Sequence, residues 1–500
     1  MGEDYQYRAN LLEQFLGKSS ADFTRDDIVR YILENGIKRL NFRYVAEDGK
    51  LKVLNFVVHD KDYLETILSS GERVDGSSLF SYIETGSSDL YVIPRFSTAF
   101  VNPFSDVPTL DILCSFYTNQ GKPLDPAPEY ILRKAHKLFR ERTGFVFKCM
   151  GELEYYVQGK KEELYPAEDQ KGYHSASPFS NYEYIRLEAM DLIARSGGRI
   201  KYGHSEVGNF STDAESFEQH EIEFLPQDAE EAADQLVVAK WILRQLGEKY
   251  GVNISFAPKI TVGKAGSGLH VHMYLDKDGD NAMIEEGRLS RPAKKMIAGL
   301  MELAGPLTAF GNTIPTSYLR LVPHQEAPTN ICWGDRNRSV LVRVPLGWIG
   351  GTDMVHDANP KDNTPKYEGV SKQTIEIRSP DGSADIYHLF AGLIVASLRG
   401  LEMEGALEKA ESLYVDVNIF KEENRDKLDK LEKLPDCCYG SAGLLEKRRS
   451  YFEKDGIFPP RTIDSFISRL RAFNDQGLSE RLFGKTDEIR TLVYKYLHHM

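Results

Sequence analysis

The sequence predicts an α+β fold in two parts: a small N-terminal domain rich in strands and a larger second domain in which strands alternate with helices. Three observations predict it. A hairpin signal lies near the start of the chain, in Arg39 to Val58. A segment with three prolines, Pro123 to Pro128, reads as a linker. After Phe145, strand-like pieces carrying charges at i and i+2 alternate with long amphipathic stretches. At 500 residues the chain exceeds one ordinary core, so two or more lobes are expected.

In the first part, residues 1–115, Phe23-Thr24-Arg25-Asp26-Asp27 opens a helix with Thr24 as N-cap, and the run closes near Asn35-Gly36. Arg39 to Val45, the Glu47-Asp48-Gly49 turn and Leu51 to Val58 form the hairpin. Val74-Asp75-Gly76-Ser77-Ser78 reads as a small-residue loop, and Asp89 to Pro94 as extended. In the second part, residues 116–500, helices are predicted over Glu129 to Thr143, Ser180 to Ser196, Asp228 to Tyr250, Ser290 to Phe310 and Tyr387 to Lys409. A charged helical tail follows, over Lys421 to Leu434, Ala442 to Glu453, Thr462 to Asp475 and Thr486 to Leu497.

Composition excludes several classes. Hydrophobic residues make up 41% and charged residues 27%, which describes a soluble globular protein. The net charge of −13 argues against nucleic acid or an anionic membrane as partner. No apolar run approaches the ~20 residues of a membrane helix, and the acidic N-terminus lacks a signal-peptide pattern. Five cysteines, Cys114, Cys149, Cys332, Cys437 and Cys438, form no C-x-x-C pair, so neither a disulfide framework nor a zinc site is expected. A reducing cytoplasm fits.

The chemistry lies on strands. In Lys264 to Leu275 the loop Gly266-Ser267-Gly268 leads into His270-Val271-His272, whose imidazoles share one strand face. An isolated H-x-H is more often a half-exposed pair than a ligand site. Here, however, Glu152-Leu153-Glu154, His204-Ser205-Glu206, Gln219-His220-Glu221-Ile222-Glu223 and Glu376-Ile377-Arg378 repeat the pattern, with apolar residues between most of the charges. Five such strands make a sheet with an acid-lined face. Carboxylates so concentrated repel one another unless cations sit among them. Oxygen-rich ligation with few imidazoles suits Mg²⁺ or Mn²⁺ better than zinc. Arg320, Arg336, Arg338 and Arg343 follow among prolines and small residues, and guanidinium forks match carboxylate and phosphate oxygens. The combination points to phosphoryl transfer from a nucleotide onto a carboxylic acid.

These motifs resemble the glutamine synthetase family, the type I bacterial and archaeal branch most of all. The likeness runs in order through Val74 to Ser78, Glu152 to Glu154, Lys171-Gly172-Tyr173, His204 to Val207, Gln219 to Ile222 and Gly266 to His272. It continues through Ser317 to Pro323, Glu326-Ala327-Pro328, Arg336 to Ser339 and Glu376 to Asp381. The resemblance implies a β-grasp N-terminal domain and a catalytic domain built on a curved antiparallel sheet, a partial barrel backed by helices. It implies ATP-dependent ligation of L-glutamate and ammonium through γ-glutamyl phosphate, with two or more Mg²⁺ or Mn²⁺ per site. One metal would take Glu154, Glu206 and Glu221; the other Glu152, His270 and Glu376. His272 would contact ATP phosphates. Arg338 and Arg343 would steady the phosphoryl group, Arg320 and Arg378 would hold the amino acid beside Gly266, and Glu326 would lie on a closing flap. Asp75, from the neighbouring subunit, would bind ammonium with Tyr173 and Glu206. Assembly would be a homo-oligomer of stacked rings, a dodecamer with shared sites.

The sequence departs from the family pattern at several points. Ala265 stands where an Asn is common, and Thr374 where many members have Arg, with Lys372 nearby. The segments 209–218 and 350–370 are longer than usual. Phe420 replaces a tyrosine that some members adenylylate, so that regulation is expected to be absent. Two alternatives therefore stand beside glutamine synthetase: a γ-glutamyl amide ligase using another amine, and a catalytically inactive structural or regulatory relative.

Overall fold

The computed structural model describes residues 5–84, 88–161, 163–322, 328–345, 354–365, 372–417, 424 and 430–499. After a short helix over Leu11–Leu16, the N-terminal part continues with helix α1 (Arg25–Glu34), whose Thr24 hydroxyl and Asp27 carboxylate form a reciprocal capping box. Strands β1 (Arg39–Val45) and β2 (Leu51–Val57) form the predicted hairpin. Helix α2 (Lys61–Ser70), capped by Asp60, was not predicted; its apolar positions Leu64, Ile67 and Leu68 pack inward at helical spacing. Strands β3 (Glu72–Asp75), β4 (Asp89–Pro94), β5 (Phe100–Val101) and β6 (Thr109–Thr118) complete a sheet ordered β2-β1-β6-β4-β3, with β5 beside β6. The β1–β6 pair is parallel, and both strands are buried along most of their length.

The second part contains α3 (Pro128–Thr143), β7 (Val146–Lys160), α4 (Glu183–Arg195), β8 (Ile200–Ser211), β9 (Glu215–Phe224), α5 (Ala229–Tyr250), β10 (Asn253–Ser255) and β11 (Leu269–Lys277). Next come α6 (Arg291–Glu302), α7 (Ala304–Gly311), β12 (Trp333–Asp335), β13 (Val342–Val344), β14 (Ile375–Ile377), α8 (Ile386–Glu402) and α9 (Ala406–Ser412). Helices α10 (Cys438–Glu453), α11 (Pro460–Ala472) and α12 (Thr486–Tyr496) close the chain. The main sheet runs β12-β13-β14-β11-β7-β9-β8 and is antiparallel except at β12–β13. It curls into a half-barrel backed by helices.

Two predicted helices are broken. The one expected over Ser290 to Phe310 divides at Leu303 into α6 and α7, where Pro306 has no N–H to continue the ladder. The one expected over Tyr387 to Lys409 divides at Met403–Gly405, with Gly405 in the left-handed region, and the chain bends by 111° from α8 to α9. The helix predicted over Lys421 to Leu434 lies mostly outside the described residues. Among the described residues no single helix is long and apolar enough to cross a membrane.

Two separate cores support the two sheets. Arg95 joins them with a bidentate pair to Asp234 on α5, at 2.7 and 2.9 Å, and Tyr387 donates to the same carboxylate.

Candidate active site

Period-two alternation sorts each strand of the half-barrel into two faces. Leu153, Ile222, Val271 and Ile377 are at most 1% exposed and pack into the core behind the sheet. The residues between them point to the concave side, and strand register sets them in rows. One row reads His270, Glu152, Glu223, Tyr202 across β11, β7, β9 and β8. The next reads Glu154, Glu221, His204. A third places Arg343, Glu376 and His272 side by side. All line one cavity of about 1350 Å³.

Three groups in this cavity bring ligand atoms within 4.8 Å of one another: Glu152, His270 and Glu376; His204, Glu206 and Glu221; and Glu152, Glu223 and His272. The first is the set the resemblance implied. In the second, His204 stands where Glu154 was expected, while Glu154 lies beside it, its carboxyl 4.0 Å from His270 Nε2. Glu154 instead accepts hydrogen bonds from the Gly268 backbone N–H at 2.7 Å and the Gln219 amide at 3.0 Å. His204 and Glu223 were not named as candidate ligands, although each is two residues from a carboxylate that was and so shares its strand face.

The electrostatics are those of a cation site. Burial raises the Glu154 carboxyl to about 7, with Glu206 adding to the shift against the pull of His270. Burial, then the charges of Glu152, Glu154, Glu206 and Glu223, push Glu221 well above its ordinary value. Burial also opposes ionisation of Glu152, but the charges and hydrogen bonds of His272 and His270 outweigh it and hold that carboxyl well below the usual range. His272 is fixed from both sides, with Nε2 2.8 Å from Glu152 and Nδ1 2.8 Å from the Thr374 hydroxyl. Carboxylate oxygens with one imidazole per group fit a hard divalent cation such as Mg²⁺ or Mn²⁺.

Arginines stand among the acids. Arg343 Nη1 and Arg378 Nε each donate to Glu376 at 3.0 Å. Arg320 Nη1 donates to the Ser379 carbonyl at 2.9 Å, and Arg338 lines the same cavity. The glycine loop lies against Arg320. A Cβ at Gly268 would fall 2.5 Å from Arg320 Nη2, and one at Gly266 would fall 2.6 Å from the Pro258 carbonyl.

Other expectations fall differently. Tyr173 lines the cavity and is half exposed. Asp75 is not on this cavity's wall; it ends β3 on the surface, where hydrogen bonds from Ser77 and then Ser78 lower its carboxyl to about 2. Glu326, Phe420 and, within the 350–370 segment, residues 350–353 and 366–370 lie outside the described residues; residues 354–365 carry a short helix, Met354–Ala358. The 209–218 segment is the extended tip of the β8–β9 hairpin. Asn209 accepts three hydrogen bonds there from Gln170 and Lys171, securing the chain that leads to Tyr173. Gln170 Oε1 also accepts from the Ala265 N–H at 2.7 Å, so the amide at this corner of the pocket is a glutamine from another segment.

Residues 125–472 match the catalytic domain of glutamine synthetase, and residues 36–119 match the glutamine synthetase beta-Grasp domain. Glutamine synthetase of Clostridium saccharobutylicum is 29% identical over 436 residues, covering 85% of this chain and 90% of its own. That of Thermotoga maritima is 29% identical over 444 residues, covering 87% and 91%. Among solved structures, Plasmodium falciparum glutamine synthetase superposes with a TM-score of 0.74 at 20% identity, covering 92% of this chain and 97% of its own. GmaS without ligand gives 0.71 at 19% identity, covering 90% and 96%. Fold and matches together define a two-domain, half-barrel ligase. The chain belongs to the glutamine synthetase family, in which ATP and divalent metal are used.

Proposed function

We propose that the chain is a glutamine synthetase proper, joining L-glutamate and ammonium at the cost of one ATP, with γ-glutamyl phosphate as intermediate. The observation that carries this reading is one cavity lined by clustered carboxylates and imidazoles together with Arg320, Arg338, Arg343 and Arg378. A γ-carboxylate has no good leaving group until it is phosphorylated. Arg338 and Arg343 stabilise the charge on the transferring phosphoryl group. Arg320 and Arg378 hold the amino acid's carboxylate over the glycine loop, with Gly266 allowing its close approach. His272, pinned by Glu152 and Thr374, faces the ATP phosphates. Bound Mg²⁺ or Mn²⁺, two or more per site, supplies charge neutralisation along the phosphates; Glu152, His270 and Glu376 would hold one ion, and Glu206 and Glu221, with Glu154 or His204, the other. Glu326, outside the described residues, would by the family resemblance help keep water off the acyl phosphate.

Ammonium is bound and deprotonated by carboxylates, Glu206 from this chain and Asp75 from a neighbouring copy. The position of Asp75 away from its own cavity supports a homo-oligomer with shared sites, which we propose is a ring assembly, stacked into a dodecamer. A two-domain division near residue 115 is supported by the two sheets and two cores. Five buried free thiols suit the cytoplasm.

A second reading, a larger amine as acceptor, is favoured by one observation. The rings of Tyr173, His174, His204 and Tyr202 cluster at the Glu206 edge with centroids 4.2 to 5.8 Å apart, a surface suited to an alkylammonium ion. Phosphate release with ATP, Mg²⁺, glutamate and a panel of amines separates the two. The highest kcat/KM should fall to ammonium; preference for methylamine or ethanolamine overturns the first reading, and no release with any amine overturns both.

A further inference from the structure

The last helix of the chain buries its apolar face far from its sequence neighbours. On α12, Ile489 and Val493 stand at i and i+4, and Leu497 continues the row just past the helix end. With Leu482, from the short helix Leu478–Leu482, they form one apolar cluster with Ala257, Leu319 and the partly buried Ile260. This cluster is separate from the cores behind the two sheets. A polar tie adds to it: the Ser255 hydroxyl donates to the Leu497 carbonyl at 2.6 Å and accepts from the Ala257 N–H at 3.1 Å.

Each residue that the tail covers lies next to a wall of the acid-lined cavity. Ala257 precedes Pro258, whose carbonyl accepts from the Ser267 N–H at 3.1 Å and lies so close to Gly266 that a Cβ there would fall 2.6 Å away. Ile260 also packs with Tyr156, whose hydroxyl donates to the Ala265 carbonyl at 2.8 Å. Lys259 Nζ closes the turn between them by donating to the Lys264 carbonyl at 2.6 Å. Leu319 precedes Arg320 on the four-residue helix Ser317–Arg320. Residues 256–268 contain no helix or strand, and a helix of four residues cannot stand alone. The placing of both therefore depends on what packs against them. Tail residues 478–497 themselves do not line the cavity.

We propose that the C-terminal segment 478–497 is a clamp that positions the amino-acid pocket: Ile489, Val493 and Leu497, through Ala257, Ile260 and Leu319, fix the glycine loop and Arg320 relative to one another. These tail side chains are positioning residues. The consequence for glutamate rests on the function proposed above, whereas the clamp itself does not.

Hydrogen exchange read by mass spectrometry on the full chain, together with steady-state kinetics, tests this. In the double variant Ile489→Ala/Val493→Ala, amides in 256–268 and 317–321 should exchange at least tenfold faster, with β7 and β9 at parent rates. KM for glutamate should rise at least fivefold, with kcat and KM for ATP within twofold of the parent. The conservative Ile489→Val should match the parent in both readouts. So should Ile467→Ala, a comparable truncation of a buried side chain on α11. Sizing and thermal melts check that the variants are folded and assembled. Unchanged loop exchange in the double variant overturns the proposal, as does an unchanged KM for glutamate beside faster exchange, or the same two effects in Ile467→Ala. A parent that joins no amine to glutamate would refute the proposed function, and the exchange result alone would then decide for or against the clamp.

Discussion

Glu154 offers a clean test of the electrostatics, because Glu154→Gln keeps the shape of the side chain and removes its charge. The carboxyl is raised from an ordinary 4.5 to about 7 by burial first and by Glu206. A raised acid keeps its proton more tightly folded than unfolded, so it destabilises the metal-free protein as pH climbs from about 4.5 to 7, and the penalty is constant above that. For this shift the penalty is about 3 kcal/mol at pH 8 and below 1 kcal/mol at pH 5. Removing the charge should therefore stabilise the chelated protein by about 2.5 kcal/mol more at pH 8 than at pH 5. With an unfolding entropy of about 2.1 cal/mol/K per residue, that is about 2–3 °C in Tm for a chain of this length. The assay is scanning calorimetry of parent and variant in EDTA at both pH values, repeated with Mg²⁺. With metal the order should invert, since the parent's carboxylate then has a cation to neutralise. If Glu154→Gln shifts Tm equally at pH 5 and pH 8 without metal, the strained-carboxylate reasoning fails.

Other substitutions divide binding from packing. Glu152→Ala and His270→Ala should each lower turnover at least about a thousandfold while the oligomer persists, as sizing and an ATPase-coupled assay can show; retained activity refutes the metal assignment. Gly268→Ala drives a methyl against Arg320, a movable side chain, so KM for glutamate should rise about tenfold or more at unchanged Tm. Gly266→Ala meets the Pro258 backbone instead and should lower stability by about 1–3 kcal/mol, read from the melting curve. Thr374→Val removes the hydroxyl that meets His272 Nδ1 and should reduce kcat/KM for ATP about tenfold; an unchanged value would show that this contact positions nothing.

The composition of the site was legible in the sequence because strand periodicity is local. Alternation alone placed Glu152 and Glu154, or His270 and His272, on one face, and apolar Leu153 and Val271 on the other. Partnership between strands is not local. That Glu152 stands opposite His270 on one side and Glu223 on the other depends on register, which turns and long-range packing set. This is why Glu223 was read only as part of a charged strand, and why His204 was not set beside Glu154 as a candidate partner of Glu206 and Glu221. On β8 the pairing advances from Ser205 to Asn209 while β9 moves only from His220 to Glu218, so Glu206 sits in a bulge that no period-two count foresees. The helix breaks at Leu303 and Met403 had visible signals in Pro306 and Gly405, outweighed by continuous apolar patterning on either side.

The same distinction explains what Ala265 does. By sequence it subtracts an amide from the glutamate pocket. In the fold, Gln170 spends its own amide on the Ala265 backbone and the Asn209 carbonyl, so it secures the loop and is not free to grip a ligand. On the proposed reading, recognition of the amino acid falls to Arg320 and Arg378, and both are already engaged, Arg320 with the Ser379 carbonyl and Arg378 with Glu376. On the same reading, the four rings beside Glu206 are the feature that decides which amine is accepted.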